Sequence, residues 1–222
     1  MDDDLLLVED LLLVLLDDDG GHIHGEGMLY AILGGAVIVE LAHRGLVRTD
    51  SGQTVEVVPG ANPPADPLLR SAFETIATKR RLVVTRIAEI GPTLREEVLD
   101  RLERRGLVRR ERDRVLGFIP VTRLRTLDTT HEDAVVARLR AVLVDGDEPD
   151  ARTAALAALL WASDQLPALH ARIPWTNDVA SRALRLQQGD WGAAAVDLYV
   201  AGVLAATVSV STAVAAAAGS GK

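Results

Sequence analysis

A mainly α fold is predicted, with a helical core around a buried, alanine-rich C-terminal helix, surrounded by amphipathic helices and one or two short β-hairpins. Three observations predict it. Alanine, leucine and valine carry most of the apolar content, which is 48% of 222 residues, while aromatic residues make up 3%; this suits helix-on-helix packing better than a β-sandwich. Apolar residues recur at helical spacing, as in Leu94, Val98, Leu99 and Leu102. Glycines and prolines then divide the chain into helix-length pieces. The length suits one domain, residues 1–222, with 219–222 as a disordered tail.

The elements follow in order. Residues 5–16 read as a short buried helix, closed by Asp17-Asp18-Asp19-Gly20-Gly21. A polar loop, 22–27, leads to a helix over 28–43 that is apolar on most faces and stops at Arg44-Gly45, where glycine suits a left-handed C-cap. Residues 46–48 and 54–58 form a hairpin, and 59–67, with four prolines, a surface loop. Helices follow over 68–78 and 80–89, and Gly91-Pro92 is expected to break the second. Thr93 and Glu96 then read as a capping box for a helix that Gly106 ends. A second hairpin is expected around Arg112-Asp113, then helices over 130–144, 151–163, 176–188 and 191–218. One internal echo stands out: Val39-Glu40-Leu41-Ala42-His43-Arg44-Gly45-Leu46-Val47-Arg48 resembles Leu99-Asp100-Arg101-Leu102-Glu103-Arg104-Arg105-Gly106-Leu107-Val108-Arg109.

Composition excludes several function classes. No cysteine is present, so disulfides and thiolate metal sites are out and a cytoplasmic location is expected. The net charge of −8 argues against a generally basic nucleic-acid coat. Its distribution is uneven: 14 Lys/Arg against 7 Asp/Glu between Lys79 and Arg125 give that stretch +7 and leave −15 to the rest. The run over 5–16 is no signal peptide, because Asp2, Asp3 and Asp4 precede it and Glu9 and Asp10 interrupt it. The run over 196–218 is long enough to span a bilayer, but Asp197, Thr207, Ser209, Ser211 and Thr212 favour a buried helix instead.

Catalytic signals are weak. His22, His24 and Glu26 form the most metal-like cluster but lack a third convincing ligand, so no metal and no cofactor is expected. Ser71, Ser163 and Ser181 have no adjacent base, the tail Gly219-Ser220-Gly221-Lys222 lacks the remainder of a phosphate loop, and an enzyme is not expected. The basic stretch says more. Arg95 would occupy the second position of the Thr93-capped helix, where a cation opposes the dipole unless an anion joins it. Within that helix Glu96, Glu97, Asp100 and Glu103 balance the arginines, whereas the hairpin has only Glu111 and Asp113 and should face an anion. Leu116, Gly117, Phe118, Ile119 and Pro120 suit shallow membrane insertion, or packing on another subunit or on the protein's own core. The rival reading takes helix and hairpin as a winged helix, against which stand its acids and the acidic total; no nucleic acid is expected.

The ordered set resembles the Golgi phosphoprotein 3 family over residues 3–218: an acidic, leucine-rich start, Glu40-Leu41-Ala42-x-Arg44-Gly45, a Pro-rich loop into Asp66-Pro67-Leu68-Leu69, a Leu-Arg helix ending Arg-Gly-Leu-Val, a basic hairpin and an Ala-rich terminal helix. The Arg- and Ala-rich composition is similar to that of bacterial, actinobacterial members. The resemblance implies a peripheral membrane protein binding phosphatidylinositol 4-phosphate, with client protein tails held by eukaryotic members and a hairpin that inserts or oligomerises. Its implied headgroup pocket falls on Gly25, where the family has tryptophan, and on Gly34, Pro92 and Arg95, where it has arginines; Arg95 alone matches, with Arg86 and His24 as neighbouring cations that would substitute. Arg114, Leu116, Phe118, Ile119 and Arg123 are the implied membrane-contacting hairpin residues. Anionic phospholipid headgroups are the expected partner.

Overall fold

The computed structural model describes residues 5–17, 21–49, 54–115 and 119–188. The echo noted above is a piece of backbone geometry used twice. Helix α2 (Leu29–His43) and helix α4 (Val83–Arg104) each run into a glycine, Gly45 and Gly106, at φ of 67° and 73°. After α2 the Gly45 amide donates to the Ala42 carbonyl at 2.8 Å and Leu46 to Leu41 at 2.9 Å. After α4 the Gly106 amide donates to Glu103 at 2.9 Å and Leu107 to Leu102 at 3.0 Å. The same closure satisfies the last carbonyls of both helices and sends the chain into a strand.

Those strands open two antiparallel sheets. β3 (Val47–Thr49) pairs with β4 (Thr54–Val57), whose other edge takes β5 (Arg81–Leu82), a strand where a helix was expected. β6 (Val108–Val115) pairs with β7 (Ile119–Thr126) from Val108↔Thr126 to Val115↔Ile119. The expected turn at Arg112-Asp113 is therefore corrected: both residues lie within β6, opposite Thr122 and Val121. Arg-Asp offers no glycine for a positive φ, and a longer ladder pairs more backbone. Residues 116–118 lie outside the described residues. A further pair, β1 (Leu16–Asp17) with β2 (His22–Ile23), occupies part of the expected polar loop.

The helical core comprises α1 (Leu7–Val14), α2, α3 (Pro67–Ala77), α4, α5 (Thr130–Arg140), α6 (Ala151–Ala162) and α7 (Asn177–Gln187). Caps begin several of them. Asp66 accepts from the Leu68 and Leu69 amides at 2.9 and 3.2 Å, Asp150 from Thr153 at 2.8 Å and Thr176 from Val179 at 3.2 Å. Helix α2 is the central one, packed on α1, α3, α4 and α6. With its preceding turn it is long and apolar enough to cross a bilayer, yet 67% of that stretch is buried in the fold. The C-terminal helix expected at the core, over 191–218, lies outside the described residues.

Gly91-Pro92 does not end a helix: α4 continues through it, so Thr93 caps nothing. Tertiary contact explains why. A Cβ on Gly91 would sit 2.1 Å from the Tyr30 carbonyl oxygen, and one on Gly34 would sit 3.1 Å from that of Ile87. Residues 30 and 34 thus meet 91 and 87 in reverse order, an antiparallel crossing of α2 and α4 so close that only glycine fits. Pro92 and Ala88, whose carbonyl loses its amide to the proline, are both exposed, so water can serve that carbonyl.

The acids that interrupt the N-terminal run are buried and paired. Glu9 accepts from its own Leu6 amide at 2.7 Å and from Arg101 at 3.0 Å, with Arg105 at 3.4 Å. Asp10 meets the His131 ring at 2.6 Å and Arg152 at 2.8 Å. Glu40 accepts from the Leu7 amide at 2.8 Å and from Arg44 at 2.8 Å. Carboxylates at the first turn of α1 also complement its dipole.

His43, at the end of α2, has a buried Nε2 with no hydrogen-bond partner. Burial holds its pKa below the usual 6.5; Arg152 adds to this, while Glu40 and Asp150 oppose it. The unfolded chain therefore takes up the proton first, and this share of stability, full above about pH 6.5, falls as pH drops toward the folded value. Between pH 7.5 and 5.5 the wild type is expected to lose more in Tm than His43→Gln; equal losses would remove His43 from the acid response.

Candidate functional site

With α4 continuous, Arg95 sits mid-helix and not at a helix start, so the expected pull of the dipole on an anion is absent. What surrounds Arg95 is a cleft of about 460 Å³ between α4, the β6–β7 hairpin and the segment from Gly21 to Glu26. Ile23 and Leu124 contribute apolar surface, Thr122 a hydroxyl, Arg95 and Arg110 two guanidinium groups and His22 an imidazole. The Leu124 amide donates to the Gly21 carbonyl at 2.9 Å, docking the hairpin on this segment. A Cβ on Gly21 would lie 3.0 Å from both Arg123 Cβ and the Leu124 oxygen, which explains the glycine.

Carboxylates hold each of these nitrogen groups. Arg95 donates to Glu26 at 2.6 Å and also to Glu96. Arg110 spans Glu96 at 3.2 Å and Asp100 at 2.7 Å and also reaches Glu103. His22 Nδ1 lies 3.1 Å from Asp17. Burial alone would lower the Arg95 guanidinium; the hydrogen bonds it donates to Glu26 and Glu96 more than offset this and leave it above the ordinary arginine value. Arg110 is raised likewise, its partners Asp100, Glu103 and Glu96 overcoming burial.

Other expected residues lie elsewhere. Arg86 is 2% exposed and points into the fold, where it donates to Glu89 at 2.5 Å, to the Ile76 carbonyl at 3.2 Å and to the Lys79 carbonyl. It ties down the end of α3, which corrects its reading as a headgroup ligand; its spacing with Val83, Ile87 and Ile90 was the signal of a buried face. His24 lines a separate hollow of about 340 Å³ with Leu169 and Arg172. His22, two residues earlier, shares the cleft with Arg95 instead. Arg123 is exposed on β7. Leu116 and Phe118, with the side chains of Arg114 and Ile119, lie outside the described residues.

The basic stretch is largely neutralised. Arg80, Arg81, Arg86, Arg95, Arg101, Arg105, Arg109, Arg110 and Arg125 each lie within ion-pair distance of a carboxylate. Glu9, Glu26, Glu56 and Asp66 reach in from outside the stretch. Among the described residues, most of the local excess is therefore matched by carboxylates, and two hollows gather arginines of the stretch: the cleft with Arg95 and Arg110, and a smaller one lined by Arg101, Arg104 and Arg105.

A family model for Golgi phosphoprotein 3 (GPP34) matches residues 7–203, most of the chain. The chain belongs to that family. No curated protein matches it. The match spans every described helix of this GPP34 member, from α1 to α7. The positions implied by the family resemblance then have physical readings. Gly34 is sealed in the α2–α4 crossing and has no room for an arginine. Pro92 is exposed on α4, and Gly25 takes φ of 72° where a Cβ would meet Gln165 at 2.8 Å. Of that set only Arg95 brings a charged group to the cleft, beside Arg110 and His22 from other elements.

Proposed function

We propose that this GPP34 protein is a peripheral membrane adaptor that binds anionic phospholipid headgroups, with the headgroup phosphate taken up in the cleft at Arg95. The observation that carries the reading is the convergence of Arg95, Arg110 and His22, from three separate segments, on one open cleft. Two arginines supply planar donor forks suited to phosphate oxygens, and Thr122 adds a neutral donor. Family membership supports the same direction. Capture of client protein tails and self-association through the two-stranded hairpin belong to this reading, with the protein working from the cytoplasm as a binding module without catalysis.

The rivals have less support. A winged helix would need a cationic outer face on α4, but Glu96, Glu97 and Asp100 are exposed there and Arg110 folds onto that face. For a metal-dependent enzyme, no group of three His, Asp or Glu side chains gathers as a metal site among the described residues.

Vesicle co-sedimentation tests the proposal, with neutral, generally anionic and phosphatidylinositol 4-phosphate-doped vesicles at low and moderate salt. Arg95→Ala is expected to weaken binding to the phosphoinositide vesicles about tenfold. Equal binding of both proteins to any anionic vesicle would move the contact to diffuse surface charge. Absence of binding to every vesicle would end the membrane reading.

A further inference from the structure

Aromatic residues are scarce in this chain, with three tryptophans among 222 residues. Two of them meet at the surface. Trp161, in the last turn of α6, is half-buried and packs on the hydrophobic core. Trp175, in the loop before α7, stacks on it with ring centroids 6.0 Å apart and planes 26° apart. Trp175 is still 43% exposed, the one aromatic among the large apolar side chains that the described residues leave open. A lone exposed leucine needs no explanation, but an indole held outward by a second indole is a prepared contact. Residues 173–177 around it carry no charge. Neither indole N–H has an acceptor among the described residues.

This loop lies next to the cleft. Helix α6 ends by the closure seen after α2 and α4: the Asp164 amide donates to the Trp161 carbonyl at 3.0 Å and the Gln165 amide to Leu160 at 2.9 Å. Asp164 takes the left-handed φ of 58° there, as a residue with a short polar side chain can. The turn sets Gln165 against Gly25, where a Cβ would lie 2.8 Å from the Gln165 side chain, and the next residue, Glu26, lines the cleft.

Resting on the headgroup reading, we propose that Trp175, braced by Trp161, is an interfacial anchor that enters the headgroup layer of a bilayer beside the Arg95 cleft. An indole has an apolar body and a single N–H donor. That combination suits the layer where acyl chains meet water better than a dry protein groove, which would leave the N–H unpaired. The stack on Trp161 holds Trp175 in place beforehand, so little side-chain freedom is lost on entry. The nearest exposed acids in sequence, Asp164 and Asp178, oppose anionic lipid, so the anchor works through apolar burial and not through charge. The arginine contact in the cleft is the reverse case. Salt therefore weakens the cleft's share of binding and leaves the anchor's share in place.

The test uses the full chain and phosphatidylcholine vesicles doped with phosphatidylinositol 4-phosphate, with and without bromine on the acyl chains near the headgroup. Trp161→Phe with Trp191→Phe leaves Trp175 as the single fluorescent reporter. Its emission is expected to move to shorter wavelength on binding and to be quenched by the brominated lipid. Trp175→Ala is expected to weaken flotation about fivefold at every salt concentration, whereas the effect of Arg95→Ala shrinks as salt rises. If the vesicles bind and Arg95→Ala weakens them, but the reporter is unquenched, the anchor falls and the headgroup reading stands. A weakened Trp175→Ala with an unquenched reporter points to lost packing in the loop, and the anchor falls again. Shielding of the reporter from acrylamide before vesicles are added would mean that protein already covers Trp175, which also overturns the anchor. If the wild type binds no vesicle, the two readings fall together.

Discussion

Gly91→Ala is expected to destabilise the protein by about 3 kcal/mol, although the same change in an exposed helix interior stabilises by up to about 1 kcal/mol. The new methyl would lie 2.1 Å from the Tyr30 oxygen and 2.8 Å from its carbonyl carbon. Both are backbone atoms inside α2, so no rotamer change relieves the clash and the two helices must move apart. That separation would loosen the contact on which the buried residues Ile32, Leu33, Ile87 and Leu94 depend. Gly27→Ala is the control: its Cβ would meet nothing within 4 Å, and it should leave stability nearly unchanged. Urea unfolding of the three proteins reads the difference. A Gly91→Ala protein within experimental error of the wild type would mean that α2 and α4 do not approach as described.

Arg101→Met is expected to cost about 3 kcal/mol, because it strips charge compensation from a carboxylate with no exposed surface. Glu9 would keep its Leu6 amide and the more distant Arg105, and Asp66 would lose its 2.9 Å partner. Adding Glu9→Gln should recover part of the loss, since the amide still accepts from Leu6 and no longer carries a charge. The double variant is expected to be more stable than the sum of the single changes by about 1–2 kcal/mol. Simple additivity in denaturant unfolding would mean that the pair is not energetically coupled.

Local chemistry was legible in the sequence, and long-range compensation was not. The stops at Gly45 and Gly106 follow from a left-handed residue after an apolar helix, and Asp66-Pro67 announces the start of α3. The family resemblance, drawn from the order of such motifs, holds over residues 7–203. Gly91-Pro92 misled because its local preference for a break is outweighed by a contact with a residue some sixty positions earlier, Tyr30. The +7 of the arginine stretch misled similarly, since its counter-charges come from Glu9, Glu26, Glu56 and Asp66. Of the cleft, Arg95 was found in advance. Arg110 lay within the hairpin expected to face an anion and His22 within a metal-like cluster, and the docking of the hairpin on the segment at Gly21, through the Leu124 amide, brings them to one place.

The pairing of the first helix has a consequence for how the chain is made. Asp10 waits for Arg152, 142 residues further on, and Glu9 for Arg101, 92 residues further on. On the ribosome, the leucine-rich α1 emerges before either of the groups that allow its acids to be buried. It is therefore made before its partners and docks only after them, with two carboxylates still waiting for their arginines keeping an oily segment hydrated in the interval.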